Sequence, residues 1–433
     1  MLTATITPLV MRHVTDAAFY WLQLDQSETA FRLPFERVML FNERLDAHLE
    51  GLAIAGSEGI DLAFAELDRW RKPGEVFVCT WLVGLQADEK ALNRLTGHLV
   101  QQPDALLRGA ISAIARLPGE AAQEMIHRWT QPEATAPLQV AALRALALRG
   151  STSVCALDQP LTAFIQSSDP FVRAAACRAL ARIGADSTLP LLHEALLDDN
   201  QEVRAEAAIA LTGTSASGKA SSVLWHCVNS QTEILHNATG WFQMQAMRRL
   251  NRWLRYLAWL APFGYDNLPA LFDYLPTRAG LTFALYHGDT SYLPRVIAAM
   301  ALPATERYAG WVWQTLTGID LENNGLTLPE PPLASEQAPI TEARLDADGG
   351  LPIPNIVAIK ACPVSTPTGV RTLLGRKLTT AIVLDWLATA PQPIRAVAAH
   401  YLRQTRQEVS LNIRADTAMQ KLQLEALRAQ LQL

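Results

Sequence analysis

The sequence predicts an all-α fold in which short antiparallel helix pairs stack side by side as a solenoid. One phrase occurs twice between residues 168 and 211, with copies that begin at Asp169 and Asp199. In each copy a Val-Arg-Ala motif is followed by alanine and leucine at three- and four-residue spacing, which is the period of an α-helix. Because one such helix pair cannot bury its own apolar face, the repetition predicts stacking into a right-handed superhelix.

Local signals indicate where these helices begin and end. Asp169 and Asn200 are residue types that accept hydrogen bonds from the first N–H groups of a helix. Pro170 and Pro190 suit a first helical turn, where the missing N–H costs little. Gly184 is expected to end the first helix of the pair. The segment is therefore predicted to form helix, turn and helix, twice.

The alanine-rich helix recurs outside this stretch with a nearly constant period. Equivalent alanines lie 32, 34 and 31 residues apart, at Ala110, Ala142, Ala176 and Ala207. A fixed period in this range is the signature of a repeat array. The unit resembles a HEAT repeat of the short, alanine-rich kind. That resemblance implies that the arginine after the valine, Arg173, pairs with an aspartate of an adjacent turn.

Composition favours a well-buried protein without a nucleic-acid or membrane surface. Of the 433 residues, 49% are hydrophobic and 18% are charged, and the net charge is −5, which disfavours general binding of nucleic acid. The five cysteines are scattered and suggest reduced thiols in a cytoplasmic protein. No signal peptide is evident, and the longest apolar stretch, 256–265, is too short to span a bilayer.

Changes in pattern along the chain predict four regions. Residues 319–376 contain eight prolines, and seven carboxylates lie between Asp320 and Asp348, so this region is expected to be an acidic loop. The repeat phrase returns near residue 393, which suggests that the array resumes after the loop. The expected regions are an N-terminal helical cap at 1–100, a repeat array at 101–318, the acidic loop at 319–376, and a C-terminal repeat with a tail at 377–433.

Longer segments carry a second resemblance. They read NERLDAHLEGLAIAG at 42–56, GEVF at 74–77, TLTGIDL at 315–321 and GVRTLLGR at 369–376. The chain is similar in them to a family of bacterial HEAT-like proteins often encoded among type VI secretion genes. The resemblance brings no catalytic residue and no cofactor. It implies a role in handling a secretion effector or a spike or tail component.

Residues 240–260 form the best candidate for a binding helix. At helical spacing Arg248, Arg252 and Arg255 share one face with Trp259, and the apolar residues share another face. Arginine and tryptophan dominate the energetics of protein interfaces, so this face predicts contact with an acidic or aromatic protein partner. The alternative is a packed helix whose arginines pair with carboxylates, such as those of the 320–348 region. Arginines beside aromatics also occur in solenoid glycosylases, where bases stack on tryptophan.

Trp311 and Trp313 are a second candidate for partner contact. They lie two residues apart on an expected helix, so both cannot face the core squarely. We therefore expect one of the two rings to be exposed and to mark a contact site.

The sequence lacks the motifs of common enzymes and metal sites. It contains no G-x-S-x-G, Walker loop, H-E-x-x-H or G-x-G-x-x-G. The nearest approach to a metal set is His226 and Cys227 with His236, but adjacent helical residues point to different sides. We therefore predict no metal, no cofactor and a non-enzymatic adaptor or scaffold. An immunity-type inhibitor of a neighbouring toxin, or a HEAT-like lyase or glycosylase, remains as the alternative.

Overall fold

The computed structural model covers the whole chain and describes most of it. The described residues are 6–150, 157–183, 188–214, 217–330, 348–406 and 411–431. Gly184, the expected helix stop, and residues 331–347 of the expected acidic loop lie outside the described residues.

Helices dominate the described residues, and the few strands are two residues long. The first twelve helices are α1 Thr7–Gln26, α2 Phe35–Ala55, α3 Ser57–Trp70, α4 Pro73–Gln86, α5 Glu89–Gln101, α6 Pro103–Arg116, α7 Gly119–Trp129, α8 Ala136–Arg149, α9 Leu161–Ile165, α10 Pro170–Ile183, α11 Leu189–Ala195 and α12 Gln201–Ala210. The later elements are α13 Ser217–Asn237, α14 Gly240–Leu260, α15 Leu268–Tyr274, α16 Thr277–His287, α17 Leu293–Ala299, α18 Glu306–Thr317, β1 Thr327–Leu328, β2 Ile353–Pro354, α19 Ile356–Ala361, β3 Thr372–Leu373, β4 Arg376–Lys377, α20 Thr380–Thr389, α21 Gln392–Thr405 and α22 Thr417–Leu431.

Contacts group the chain into two compact units. Unit 1 comprises residues 1–223 and 387–433, and unit 2 comprises residues 224–386. The four regions expected from the sequence have other borders, at 100, 318 and 376, and that division stays a prediction.

Unit 1 is built from stacked helix pairs, as the repeat predicts. Helices α4, α6, α8, α10 and α12 pack in a row, each against the next, and α5, α7 and α11 pack beside their neighbours in that row. The four periodic alanines are fully buried in this row: Ala110, Ala142, Ala176 and Ala207. Small side chains at these positions allow neighbouring helices to approach closely. The predicted all-α solenoid fold is confirmed.

Arginine and aspartate connect successive repeats, as the resemblance to HEAT repeats implies. The Arg173 guanidinium donates to both carboxylate oxygens of Asp198, at 2.8 and 2.9 Å, in the turn before α12. Asp169 instead accepts from the backbone N–H groups of Phe171 and Val172 and caps α10. The pairing of Arg173 with an aspartate of an adjacent turn is therefore confirmed, and that aspartate is Asp198.

The C-terminal helices complete unit 1 by returning to the first helices. Helix α21 packs against the 3-10 turn at Ser27–Thr29, and α22 packs against α2. The backbone N–H of Gln392 donates to the carbonyl of Leu33 at 3.2 Å. The returning phrase near residue 393 therefore covers the N-terminal end of the stack in unit 1. The expectation that the array resumes after the loop stays a prediction.

Unit 2 has its own row of helices with a small hairpin attached. Helix α16 packs between α14 and α18, and α17 packs against α18. Strands β1 and β2 pair antiparallel, as do β3 and β4. The region expected to be a loop at 319–376 thus contains short strands and α19 within its described residues.

The β3–β4 hairpin lies directly on the end of α18. The backbone N–H of Leu374 donates to the carbonyl of Thr315 at 2.6 Å, and that of Gly375 donates to the carbonyl of Leu316 at 3.1 Å. Gly318 and Gly375 both have positive φ, and a Cβ on either would lie within 2.5 Å of a backbone oxygen across the contact. Only glycine permits this approach, so the hairpin holds the C-terminal end of α18 in place.

Candidate functional site

Helix α14 has the bounds and the two faces that the sequence predicts. Its core face is fully buried or nearly so and consists of Leu250, Trp253, Leu254 and Leu257. Its opposite face carries residues at three- and four-residue steps: Trp241, Met244, Arg248, Arg252, Arg255 and Trp259. We call this second set the outer stripe. The two ends of the outer stripe have different environments.

The C-terminal end of the outer stripe is covered by other parts of unit 2. The Arg255 guanidinium lies 5.0 Å from the centre of the Tyr286 ring, on α16. The Trp259 ring lies beneath the guanidinium of Arg371, at 4.2 Å. Cations over aromatic rings are attracted by the ring quadrupole. Arg255 and Trp259 therefore help to hold unit 2 together.

Arg371 connects the C-terminal ends of two helices. Its guanidinium donates to the carbonyl oxygens of Ala258 at 3.2 Å and Trp259 at 2.5 Å, in the last turn of α14. It also donates to the carbonyl of His287 at 2.8 Å, at the end of α16. The last carbonyls of a helix have no partner within the helix and carry partial negative charge. A single cation thus satisfies orphan acceptors of both helices.

His287, beside Arg371, is a buried base in an aromatic environment. Its ring lies 4.9 Å from that of Phe263 and 5.2 Å from that of Tyr292, measured between centroids. Burial lowers the pKa of the His287 imidazole from its ordinary value of 6.5 to about 4, and the charge of Arg371 acts in the same direction. His287 is therefore neutral at physiological pH.

This shift predicts a specific loss of stability in acid. Between pH 6.5 and pH 4 the unfolded chain binds a proton at His287 that the folded chain does not bind, so stability falls as pH falls. The loss should approach about 3 kcal/mol at pH 4, from 1.36 kcal/mol per pKa unit. Hydrogen exchange of α16 amides across this range should show it. His287→Leu should flatten the pH dependence; an unchanged slope would contradict the assignment.

The N-terminal end of the outer stripe is exposed and forms a surface that the spacing of the arginines did not predict. Trp241 is 37% exposed, Met244 is 55% exposed, and Phe242, one residue from the stripe, is 71% exposed. Ile234, near the end of α13, is 47% exposed. The run of Gly-Trp-Phe-Gln-Met at the start of α14 was the available signal. Large apolar side chains clustered at one surface mark an interaction site more often than scattered ones do.

Arg248 and Arg252 lie next along the outer stripe. Arg248 is exposed, and no carboxylate of the described residues lies within ion-pair distance of it. Arg252 is half-buried, with its guanidinium 5.4 Å from the centre of the Tyr256 ring. Of the four residues predicted on this face, Arg248 is the exposed one, and Arg252 is half-buried, as are Arg255 and Trp259.

The second candidate, Trp311 and Trp313, is buried. Trp311 is 8% exposed and stacks on Tyr308 at 5.9 Å, and Trp313 is fully buried in unit 2. The expectation that one ring is exposed is wrong. Helix α18 is covered on several sides, by α16, α17, β2 and β3, so residues two apart can both be enclosed.

Two carboxylates of the acidic region bind arginines of helices other than α14. Both oxygens of Asp348 accept from the Arg278 guanidinium, at 2.7 and 2.5 Å, on α16. Glu330 accepts from Arg307 on α18, at 2.7 Å. These two ion pairs attach Glu330 and Asp348 to helices of unit 2. Neither carboxylate pairs with Arg248, which has no ion-pair partner among the described residues.

An open cleft of about 540 Å³ lies along the last turns of α13. It is lined by Ser230, Glu233, Ile234, Asn237 and Ala238. The Tyr274 hydroxyl donates to Glu233 at 3.0 Å at this end of α13. The cleft thus offers hydroxyl, carboxylate and amide groups beside one exposed apolar side chain.

The described residues contain no group of three or more histidine, cysteine or acidic side chains that could hold a metal ion. None of their helices combines the length and the apolar character needed to cross a bilayer. The sequence-based predictions of no metal and no cofactor stay predictions.

Comparison with known proteins supports the repeat assignment. A protein-family model described as HEAT repeats matches residues 129–212, about a fifth of the chain and the part that contains α8 to α12. No curated protein and no solved structure matches the chain. Residues 129–212 are therefore HEAT-like repeats within an all-α solenoid fold.

Proposed function

We propose that the protein is a non-enzymatic scaffold or adaptor that binds another protein. HEAT repeats commonly serve as protein-interaction scaffolds, and residues 129–212 match them. The observation that carries the proposal is the outer stripe of α14, whose N-terminal end exposes aromatic and arginine side chains. These residue types supply most of the binding energy at protein interfaces.

The resemblance of segments 42–56 and 369–376 to HEAT-like proteins encoded among type VI secretion genes supports a partner class. We propose a secretion effector or a spike or tail component, bound in the cytoplasm. Within residues 369–376, Arg371 donates to the last carbonyls of α14, whereas the β3–β4 hairpin packs on α18. One of the similar segments thus includes the residue that caps the proposed binding helix.

Co-purification tests the function. The full-length tagged protein should form a stable complex with at least one neighbouring gene product when the two are co-expressed, detected by size-exclusion chromatography. Failure to form a complex with every neighbouring product would sink the scaffold proposal. Co-expression with a neighbouring toxin separates an immunity protein from a scaffold, because only an immunity protein would rescue growth.

Charge reversal at the outer stripe gives a further prediction. Arg252→Glu should weaken that complex about tenfold, because a hydrogen bond or ion pair to arginine contributes roughly 1.5 kcal/mol. Isothermal titration calorimetry would measure the change. Arg376→Glu, at an exposed position of β4, is the matched control and should leave affinity unchanged. A large fall in melting temperature for Arg252→Glu alone would instead assign Arg252 to the interior packing of unit 2.

A further inference from the structure

We propose that the end of the α13–α14 hairpin binds an acidic segment of a partner protein that carries apolar anchor residues. The surface consists of Ile234, Trp241, Phe242, Met244 and Arg248, and we call it the hairpin surface. This inference rests on the proposed scaffold function and specifies the chemistry of the partner.

The hairpin geometry places the segment that carries Ile234 beside the segment that carries the other four residues. Only Ala238 and Thr239 separate the end of α13 from the start of α14. The side-chain amide of Gln231 on α13 donates to the carbonyl of Ala246 on α14 at 3.3 Å. Contact at this point, together with so short a connection, requires the two helices to run antiparallel. The last turns of α13 therefore lie beside the first turns of α14.

The hairpin surface leaves aromatic area in water. The rings of Trp241 and Phe242 pack edge to face, with centroids 5.2 Å apart. Burying their apolar surface, with that of Met244 and Ile234, against a partner would contribute about 25 cal/mol of favourable binding free energy for each Å². Tryptophan and phenylalanine have only two side-chain torsions each, so fixing these two rings in an interface costs little conformational entropy.

The charge around this surface selects an acidic partner. Helix α14 contains four arginines, at 248, 249, 252 and 255, and no acidic residue. Its first turn carries no acid, and Thr239 makes no capping hydrogen bond with its side chain, so the positive end of the helix dipole adds to the field. Arg248 stands exposed at the border of the apolar cluster. Carboxylates flanking an apolar anchor would complement this arrangement.

The adjoining cleft favours a polypeptide over a lipid surface. The cleft beside Ile234 presents Ser230, Glu233 and Asn237. A peptide backbone can donate and accept hydrogen bonds at such groups, whereas a bilayer would bury them without partners.

A phage-displayed library of random twelve-residue peptides, selected on the immobilised full-length protein, tests the proposal. Enriched peptides should combine aspartate or glutamate with at least one aromatic or large aliphatic residue. Synthetic peptides made from them should bind the double variant Trp241→Ser, Phe242→Ser about 30-fold more weakly, the effect of losing an interface hot spot. They should bind Arg248→Glu about tenfold more weakly.

Matched controls keep the result interpretable. Val357→Ser removes an apolar side chain that is 80% exposed on α19 of the same unit, and Arg376→Glu reverses a charge there. Both should leave peptide affinity unchanged. Because Trp241 and Phe242 are exposed, the double variant should keep its helical content by circular dichroism. An altered spectrum would leave Arg248→Glu as the deciding variant.

Three outcomes would overturn the inference. One is enriched peptides without acidic residues, and another is equal affinity for wild type and the hairpin-surface variants. The third is flotation of the protein with phosphatidylglycerol vesicles, lost on Trp241→Ser, Phe242→Ser, which would assign the surface to membranes. If the complex with a neighbouring gene product forms but survives these substitutions, the scaffold function stands and only the hairpin surface is ruled out.

Discussion

Replacement of Arg371 by alanine is expected to destabilise unit 2 by about 3 kcal/mol, the range for losing several hydrogen bonds to a charged group. The guanidinium donates to carbonyls at the ends of α14 and α16 and covers the ring of Trp259. Without it, these orphan carbonyls face the aromatic environment around Phe263 and His287. The loss should therefore be concentrated at the C-terminal turns of both helices.

Hydrogen exchange measured by mass spectrometry can locate this effect. Amides near 258–261 and 285–288 should exchange faster in Arg371→Ala, while amides of α8 and α10 in unit 1 serve as an internal reference. Arg371→Lys should recover part of the protection, since a lysine keeps the charge but not the planar donor geometry. Arg376→Ala is the neighbouring control. If these amides exchange in Arg371→Ala as slowly as in the wild type, the hydrogen bonds of Arg371 contribute little to stability.

Arg395→Ala in unit 1 is expected to cost about 4 kcal/mol, in the range for truncating a fully buried partner of a polar network. Arg395 is fully buried and its guanidinium lies 3.7 Å from the centre of the Phe35 ring. It donates to the carbonyl of Leu387 at 2.8 Å and to the side-chain oxygens of Gln392 and Gln420 at 2.5 and 2.6 Å. Alanine would leave a cavity and strand these acceptors.

A pair of variants separates packing from hydrogen bonding at this site. Burial lowers the pKa of Arg395 to about 9, so the side chain is still charged at neutral pH, and these hydrogen bonds offset part of its desolvation. Arg395→Met keeps most of the volume without the charge and should cost less than half as much as Arg395→Ala. Urea unfolding measures the loss of stability in each variant, and hydrogen exchange of α2 and α22 amides shows whether the loss is located at this site. Equal losses would show that the hydrogen bonds alone stabilise this junction.

Much of the fold could be predicted because its information is local. The repeat period, the alanines at 110, 142, 176 and 207, and the caps at Asp169 and Asn200 depend on residues within a few turns of one another. Helical period and capping act over that same short range. The bounds and the apolar face of α14 were predictable for the same reason.

The candidate site could be predicted only in part. The helical spacing of the residues predicted the outer stripe, but it did not predict that one end is covered and the other exposed. Arg371 lies more than a hundred residues from Trp259 in the chain, and its cation covers that ring. Trp311 is likewise buried by other elements of unit 2 that pack against α18. Periodicity reports which residues share a face and carries no information about what lies against that face.

The sequence by itself determined the fold class, the repeat and the basic face of α14, since backbone periodicity and local hydrogen bonds decide these features. The tertiary structure alone decided that α21 and α22 return to the first helices and that Asp198 is the aspartate that binds Arg173. It also decided that Trp259 is covered while Phe242 is exposed. The physical reason is that burial and ion pairing depend on distances between segments far apart in the chain, which no local pattern encodes.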